Sequence, residues 1–121
     1  NYGHTFGHAI EVLSEYKIPH GQAVTLGMDL ANYISYSMGF LSLDKFTLLS
    51  SVLCKNKPNF NLLEKVDEYM SLLSKDKKNI DNKIVCILAS DFWQLFIHQV
   101  TDKQNLRSII LDFFGRSEWE I

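Results

Sequence analysis

The stretch that decides the fold is Asn1-Tyr2-Gly3-His4-Thr5-Phe6-Gly7-His8-Ala9-Ile10-Glu11, with His20-Gly21-Gln22-Ala23-Val24 following after a short connector. Phe6, Ile10 and Leu13 recur at three- and four-residue spacing, which predicts a short helix over residues 5–14. Histidines four apart on a helix project from one face about one turn apart, so His4 and His8 form a pair. Gly3 and Gly7 each stand directly before one of these histidines. A glycine inside a helix costs about 1 kcal/mol relative to alanine. Close backbone approach to a ligand or to a neighbouring helix is the usual compensation.

Working outward, residues 16–20 form a connector carrying Pro19, and Gly21 opens a long helix to about Met38. Its apolar positions include Val24, Leu26, Met28, Leu30, Ile34 and Met38, with Gly39 as a stop signal. Ser42 is placed to cap a third helix through Leu53, with Phe46, Leu49, Val52 and Leu53 inward. Lys57-Pro58 breaks that pattern, because proline disfavours helix at the preceding residue. A fourth helix is expected over residues 61–73, with Leu62, Leu63, Val66, Met70 and Leu73 as its stripe, ended by the polar run 74–82. Residues 83–88 are β-rich and residues 95–100 are able to pair with them as one short hairpin. Thr101-Asp102 then enters a last helix ending before Gly115. There are no repeats and no linker-like segment. The fold class is mainly α: one multi-helical domain over residues 1–121, with room for that short β-hairpin.

Composition narrows the function. A chain of 121 residues with 46% hydrophobic content can bury roughly two-thirds of its unfolded surface, enough for one core. Twelve basic against fourteen acidic residues, net −2, lacks the basic face of a nucleic-acid binder. Aromatics at 12% exclude a disordered chain. No apolar stretch has the length to span a bilayer. No leader pattern opens the chain, which makes a cytoplasmic setting the expectation. Cys54 and Cys86 form no C-x-x-C pair, and both read as buried free thiols in a reducing compartment.

Three of the four histidines fall within the first 20 residues. His20 stands at the threshold of the long helix, and a helix N-terminus favours the neutral imidazole that binds metal. The spacing H-x3-H…H can converge on a metal once the connector folds back. It also fits surface or core-satisfied histidines, and spacing alone leaves both readings open. It is not the H-E-x-x-H of zinc proteases, because Thr5 occupies the place of the glutamate. Glu11, one turn from His8, either orients it or is a solvated helix carboxylate. His98 reads as structural, and Trp93 and Trp119 as packing or edge residues.

These residues carry a family resemblance. The run from Asn1 to Glu11 resembles the N-[FY]-G-H-[ST]-x-G-H-A-x-E segment of 3-dehydroquinate synthase. His20-Gly21-Gln22-Ala23-Val24, with Gly27-Met28, resembles that family's H-G-E-A-V…G-M, and Asp76-Lys77-Lys78 its D-K-K segment. The strong matches cover residues 1–31 and 73–88; D-K-K alone would read as a solvated helix end.

The resemblance implies a C-terminal metal- and substrate-binding domain whose NAD-binding domain precedes Asn1. It implies a divalent-metal site, zinc or cobalt, with His4 and His20 as ligands and a third ligand, a glutamate, far upstream. By the same resemblance His8 is catalytic or relays protons and contacts substrate, while Asn1 and Lys77 bind the anionic substrate. The implied reaction belongs to the shikimate pathway, the route to aromatic amino acids. A seven-carbon sugar-acid phosphate is oxidised by NAD, loses phosphate by elimination, is reduced again and closes by an aldol step. The product is 3-dehydroquinate, which makes the enzyme a phosphate-eliminating lyase, and the isolated piece is expected to be inactive. Family enzymes are commonly homodimers. One departure stands out: Gln22 replaces the usual Glu, which puts in question full activity or the identity of the substrate. The alternatives are another sugar-phosphate cyclase and a non-catalytic helical module that keeps the histidine cluster.

Overall fold

A computed structural model describes residues 2–75 and 83–116. It contains α1 (His4–Leu13), α2 (His20–Ser37), α3 (Leu43–Leu53), α4 (Val66–Ser74), the strands β1 (Ile84–Ala89) and β2 (Leu95–Val100), and α5 (Lys103–Gly115). Short 3-10 turns at Cys54–Asn56 and Leu63–Lys65 link α3 to α4. The mainly helical class and the hairpin both stand as expected. Among the described residues no helix is long and apolar enough to cross a membrane.

The long helix α2 is the hub, packed against α1, α3, β1 and α5. Between Ala23 and Ser35 most of its residues are buried, whichever way they point, as a helix enclosed by neighbours requires. Phe6 and Ile10 of α1, Leu30 and Ile34 of α2, Tyr69 and Leu73 of α4, Ile84 and Leu88 of β1, and Leu106 and Ile110 of α5 meet in one core. At the end of α2, Gly39 takes φ 88, the left-handed turn that glycine makes without strain. Ser42 caps α3 by accepting the Lys45 N–H, and Asp102 caps α5 by accepting that of Asn105.

The two strands pair antiparallel, with Ile84 opposite Val100 and Ala89 opposite Leu95. Their turn is tied to the α2–α3 loop: the Asp91 carboxylate accepts the Ser42 N–H at 2.6 Å, and the Lys45 ammonium donates to the Asp91 carbonyl. Lys45 also lies 5.5 Å over the Trp93 ring, so Trp93 is an edge residue held by a cation. His98 packs against the rings of Phe40 and Phe96, which also touch each other. Trp119 lies outside the described residues.

Four expectations need correction. Helix α4 starts at Val66 rather than near residue 61, because the Asn61 side chain accepts the Leu63 N–H at 2.8 Å and holds a local turn there. Leu63 is therefore exposed, and Tyr69 takes its expected place in the core. Val52 is 65% exposed, while Ser50 faces inward. Cys54 is exposed at the 3-10 turn that ends α3, so only Cys86 is a buried thiol. Finally, α5 runs through Gly115 instead of stopping before it.

Candidate functional site

His4 is the first residue of α1 and His20 the first of α2. The two helix starts are brought together by three glycines. Gly3, at φ 79, adopts the left-handed conformation that leads the chain into α1. A Cβ on Gly7 would lie 2.9 Å from the Ala23 carbonyl oxygen, and one on Gly27 would lie 2.6 Å from the Gly7 nitrogen. Gly7 in α1 and Gly27 in α2 are therefore explained by close approach of two helices, one of the two compensations such a cost called for.

The consequence is a histidine pair. The His4 and His20 ring centroids stand 5.6 Å apart, with planes inclined at 55°. His4 Nδ1 is buried and has no hydrogen-bond partner among the described residues. An unsatisfied buried ring nitrogen costs about 1–3 kcal/mol, and coordination to a cation is one way to satisfy it. The His20 side chain remains 63% exposed, and its Nδ1 lies 2.7 Å from Glu11 Oε1. Neutral imidazole nitrogens and carboxylates suit zinc and cobalt, so this donor set fits the divalent ion implied by the resemblance. Among the described residues, no three His, Cys, Asp or Glu side chains converge as a metal centre. Within the described residues the chain brings two histidines together, and no third such side chain joins them.

Two expectations about neighbours change. Glu11 is neither a solvated carboxylate nor an orienter of His8: it is buried and bonds to His20. His8 is exposed on α1 and lies outside that contact. Asn1 and Lys77, the expected substrate contacts, lie outside the described residues, as does Lys78.

A second polar cluster escaped the sequence reading. Asp29 is 1% exposed, and its Oδ2 accepts from the Lys57 ammonium at 2.9 Å. Its other oxygen, like the buried Tyr2 hydroxyl, has no hydrogen-bond partner among the described residues. Burial, with the nearby Asp29 charge, pushes the Tyr2 phenol well above its ordinary range, so it stays protonated. The available signal was a lone aspartate between Met28 and Leu30 in an otherwise apolar run. A cavity of about 580 Å³ lies along α5, lined by residues including Asp112 and Arg116. Asp112 bonds to Tyr33, and Tyr33 is roughly 20 Å along α2 from His20, so this cavity belongs to the other end of the molecule.

The sequence pattern of the 3-dehydroquinate synthase C-terminal family matches residues 1–79. The chain belongs to that family. A 3-dehydroquinate synthase from Campylobacter hominis is 36% identical over 115 residues, covering 93% of this chain and 33% of its own length. One from Chlorobaculum parvum is 33% identical over 105 residues, covering 81% of this chain and 29% of its own length. The chain thus spans about a third of the length of the relatives it matches.

Among solved structures, the family member resembles 2-deoxy-scyllo-inosose synthase complexed with carbaglucose-6-phosphate, NAD+ and Co2+. That match has a TM-score of 0.77 at 25% identity, covering 92% of this chain and 32% of the other. A further structure of 2-deoxy-scyllo-inosose synthase matches with a TM-score of 0.70 at 24% identity, covering 92% of this chain and 31% of the other. The helical domain with its hairpin is therefore a fold of sugar-phosphate cyclases.

Proposed function

We propose that this chain is the C-terminal, metal- and substrate-binding part of an enzyme that converts a seven-carbon sugar-acid phosphate to 3-dehydroquinate and phosphate. The observation that carries the reading is the pairing of His4 and His20 at 5.6 Å, with His4 Nδ1 buried and unpartnered. The family match and relatives named 3-dehydroquinate synthase support the substrate class. The NAD+ and Co2+ bound by the related cyclase support the cofactors.

In this reading His4 and His20 hold the ion, and a carboxylate from the NAD-binding part of the enzyme completes the set. When bound, the divalent ion polarises a substrate hydroxyl or carbonyl oxygen and NAD accepts and returns hydride. His8, exposed beside the pair on the same helix, exchanges a proton with the substrate. The Asn1 amide and the Lys77 ammonium bind the anionic end, the ammonium offering a charge-assisted bond to the departing phosphate. The complete enzyme is cytoplasmic and homodimeric in this reading. The chain alone binds zinc weakly and releases no phosphate from the sugar phosphate.

Calorimetric zinc titration of the parent, His4→Ala and His20→Ala tests the assignment. Each substitution is expected to weaken binding at least tenfold; affinities equal to the parent's would overturn the shared site. The structural match to 2-deoxy-scyllo-inosose synthase favours one second reading, a cyclase acting on a different sugar phosphate. Substrate screening of this chain joined to its NAD-binding part separates the two.

A further inference from the structure

Glu11 is a group whose burial demands a reason. Its side chain is 10% exposed, and carboxylates are almost never this buried without a partner. Among the described residues no Lys or Arg pairs with it, and its partner is His20 Nδ1, at 2.7 Å. Glu11 follows His4 by seven residues, two turns of helix, so both sit on the same face of α1 roughly 10 Å apart along its axis. His20 touches both, as a ring neighbour of His4 and a hydrogen-bond partner of Glu11.

We infer that Glu11 is a positioning residue of the metal centre: it accepts the Nδ1–H of His20, fixes the ring's orientation, and leaves Nε2 as the nitrogen that takes the ion. An imidazole carries one proton in its neutral form, so holding that proton at Nδ1 places the lone pair at Nε2. Losing a carboxylate partner behind a ligating histidine costs about 10- to 100-fold in metal affinity. The helix pairing supports this division of labour. His20 is mostly exposed and would otherwise sample several ring orientations, whereas Glu11 is anchored in the buried face of α1. This inference rests on the metal-site reading above.

The test uses the 121-residue chain with zinc as the probe, at one fixed pH. Zinc affinity is measured by calorimetry for the parent, Glu11→Gln, Glu11→Ala and His20→Ala. The tautomer of His20 is read from imidazole nitrogen chemical shifts in the metal-free chain, a readout that a purely structural carboxylate would not move. Glu11→Ala is expected to weaken zinc binding at least tenfold and to release His20 from the Nδ1–H form. Glu11→Gln retains an acceptor oxygen of the same reach and is expected to fall between it and the parent. Should Glu11→Ala fail to fold, the near-isosteric Gln variant gives the answer by itself. Parent-like affinity and tautomer in both Glu11 variants, with His20→Ala still impaired, overturns the role of Glu11 and leaves the metal reading standing. Parent-like affinity in His20→Ala overturns both.

Discussion

Gly27 of α2 packs against Gly3, the residue that leads into α1, so closely that a Cβ on Gly27 would stand 2.3 Å from the Gly3 carbonyl oxygen. The neighbouring atoms are backbone and have no rotamer to yield. Gly27→Ala is therefore expected to force the two helices apart and to destabilise the chain by about 3 kcal/mol, the upper end for overpacking. Urea unfolding measures the stability, and zinc titration of the folded fraction should show weaker binding as the histidines separate. Unchanged stability would contradict the packing.

Asp29 and Lys57 are a nearly buried ion pair, which makes the two single substitutions unequal to the double. Lys57→Met leaves the Asp29 carboxylate uncompensated and should cost about 3–5 kcal/mol. Combining it with Asp29→Leu removes the stranded charge and should recover most of that loss. A thermodynamic cycle from denaturant midpoints that gives additive effects would show the pair to be uncoupled.

The two thiols should behave differently. Cys54 is exposed and expected to react promptly with a disulfide reagent, one equivalent per chain, while buried Cys86 reacts on unfolding. Burial pushes the Cys86 thiol up to about 12 from an ordinary 9.0. The unfolded chain thus releases this proton first, so the contribution to stability is constant below pH 9 and declines as pH rises toward 12. One proton corresponds to a slope of about 1.4 kcal/mol per pH unit. Cys86→Val should flatten the alkaline limb by that proton, which unfolding curves across the range can establish.

Helix α1 ends without glycine. The Glu15 N–H bonds to the Val12 carbonyl and that of Tyr16 to the Glu11 carbonyl, with Glu15 at φ 58 and Tyr16 at φ 61. This double closure puts a non-glycine residue in the left-handed region. Glu15→Gly is expected to relieve that strain and stabilise the chain by about 0.5–1 kcal/mol, raising the denaturant midpoint. A lowered midpoint would show that the side chain itself contributes.

That helix end also explains what the sequence concealed. The elements with local signals were legible: Ser42 announced the start of α3, Gly39 the stop after α2, and the β-rich runs the hairpin. The motif with three histidines was legible through spacing and resemblance. The partner of Glu11 was not, because it depends on how residues 14–19 carry the chain back, and two left-handed non-glycine residues leave no compositional trace. Leu63 and Val52 were placed inward wrongly for a related reason. Which face of a short helix turns inward is decided by neighbours that come from distant parts of the chain.

His8 should separate binding from chemistry. It is exposed, and among the described residues no hydrogen bond or ring contact joins it to the His4–His20 pair, so His8→Ala is expected to keep zinc affinity within about twofold. In the proposed complete enzyme, this chain joined to an NAD-binding part, the same substitution should lower phosphate release by about 10²- to 10⁴-fold, the usual worth of a general acid or base. A parallel fall in zinc affinity would move His8 into the ligand set instead.

In the proposed metal site, the contact of Gly3 and Gly7 with Gly27 has a thermodynamic consequence for ion capture. Because it is backbone against backbone, the spacing between the two helix starts has no soft coordinate through which to breathe. The disorder lost in assembling His4 beside His20 is removed while the chain folds, before any ion arrives. Affinity for the ion is in that sense stored in the helix crossing, and it would be lost first by loosening the crossing rather than by touching either imidazole.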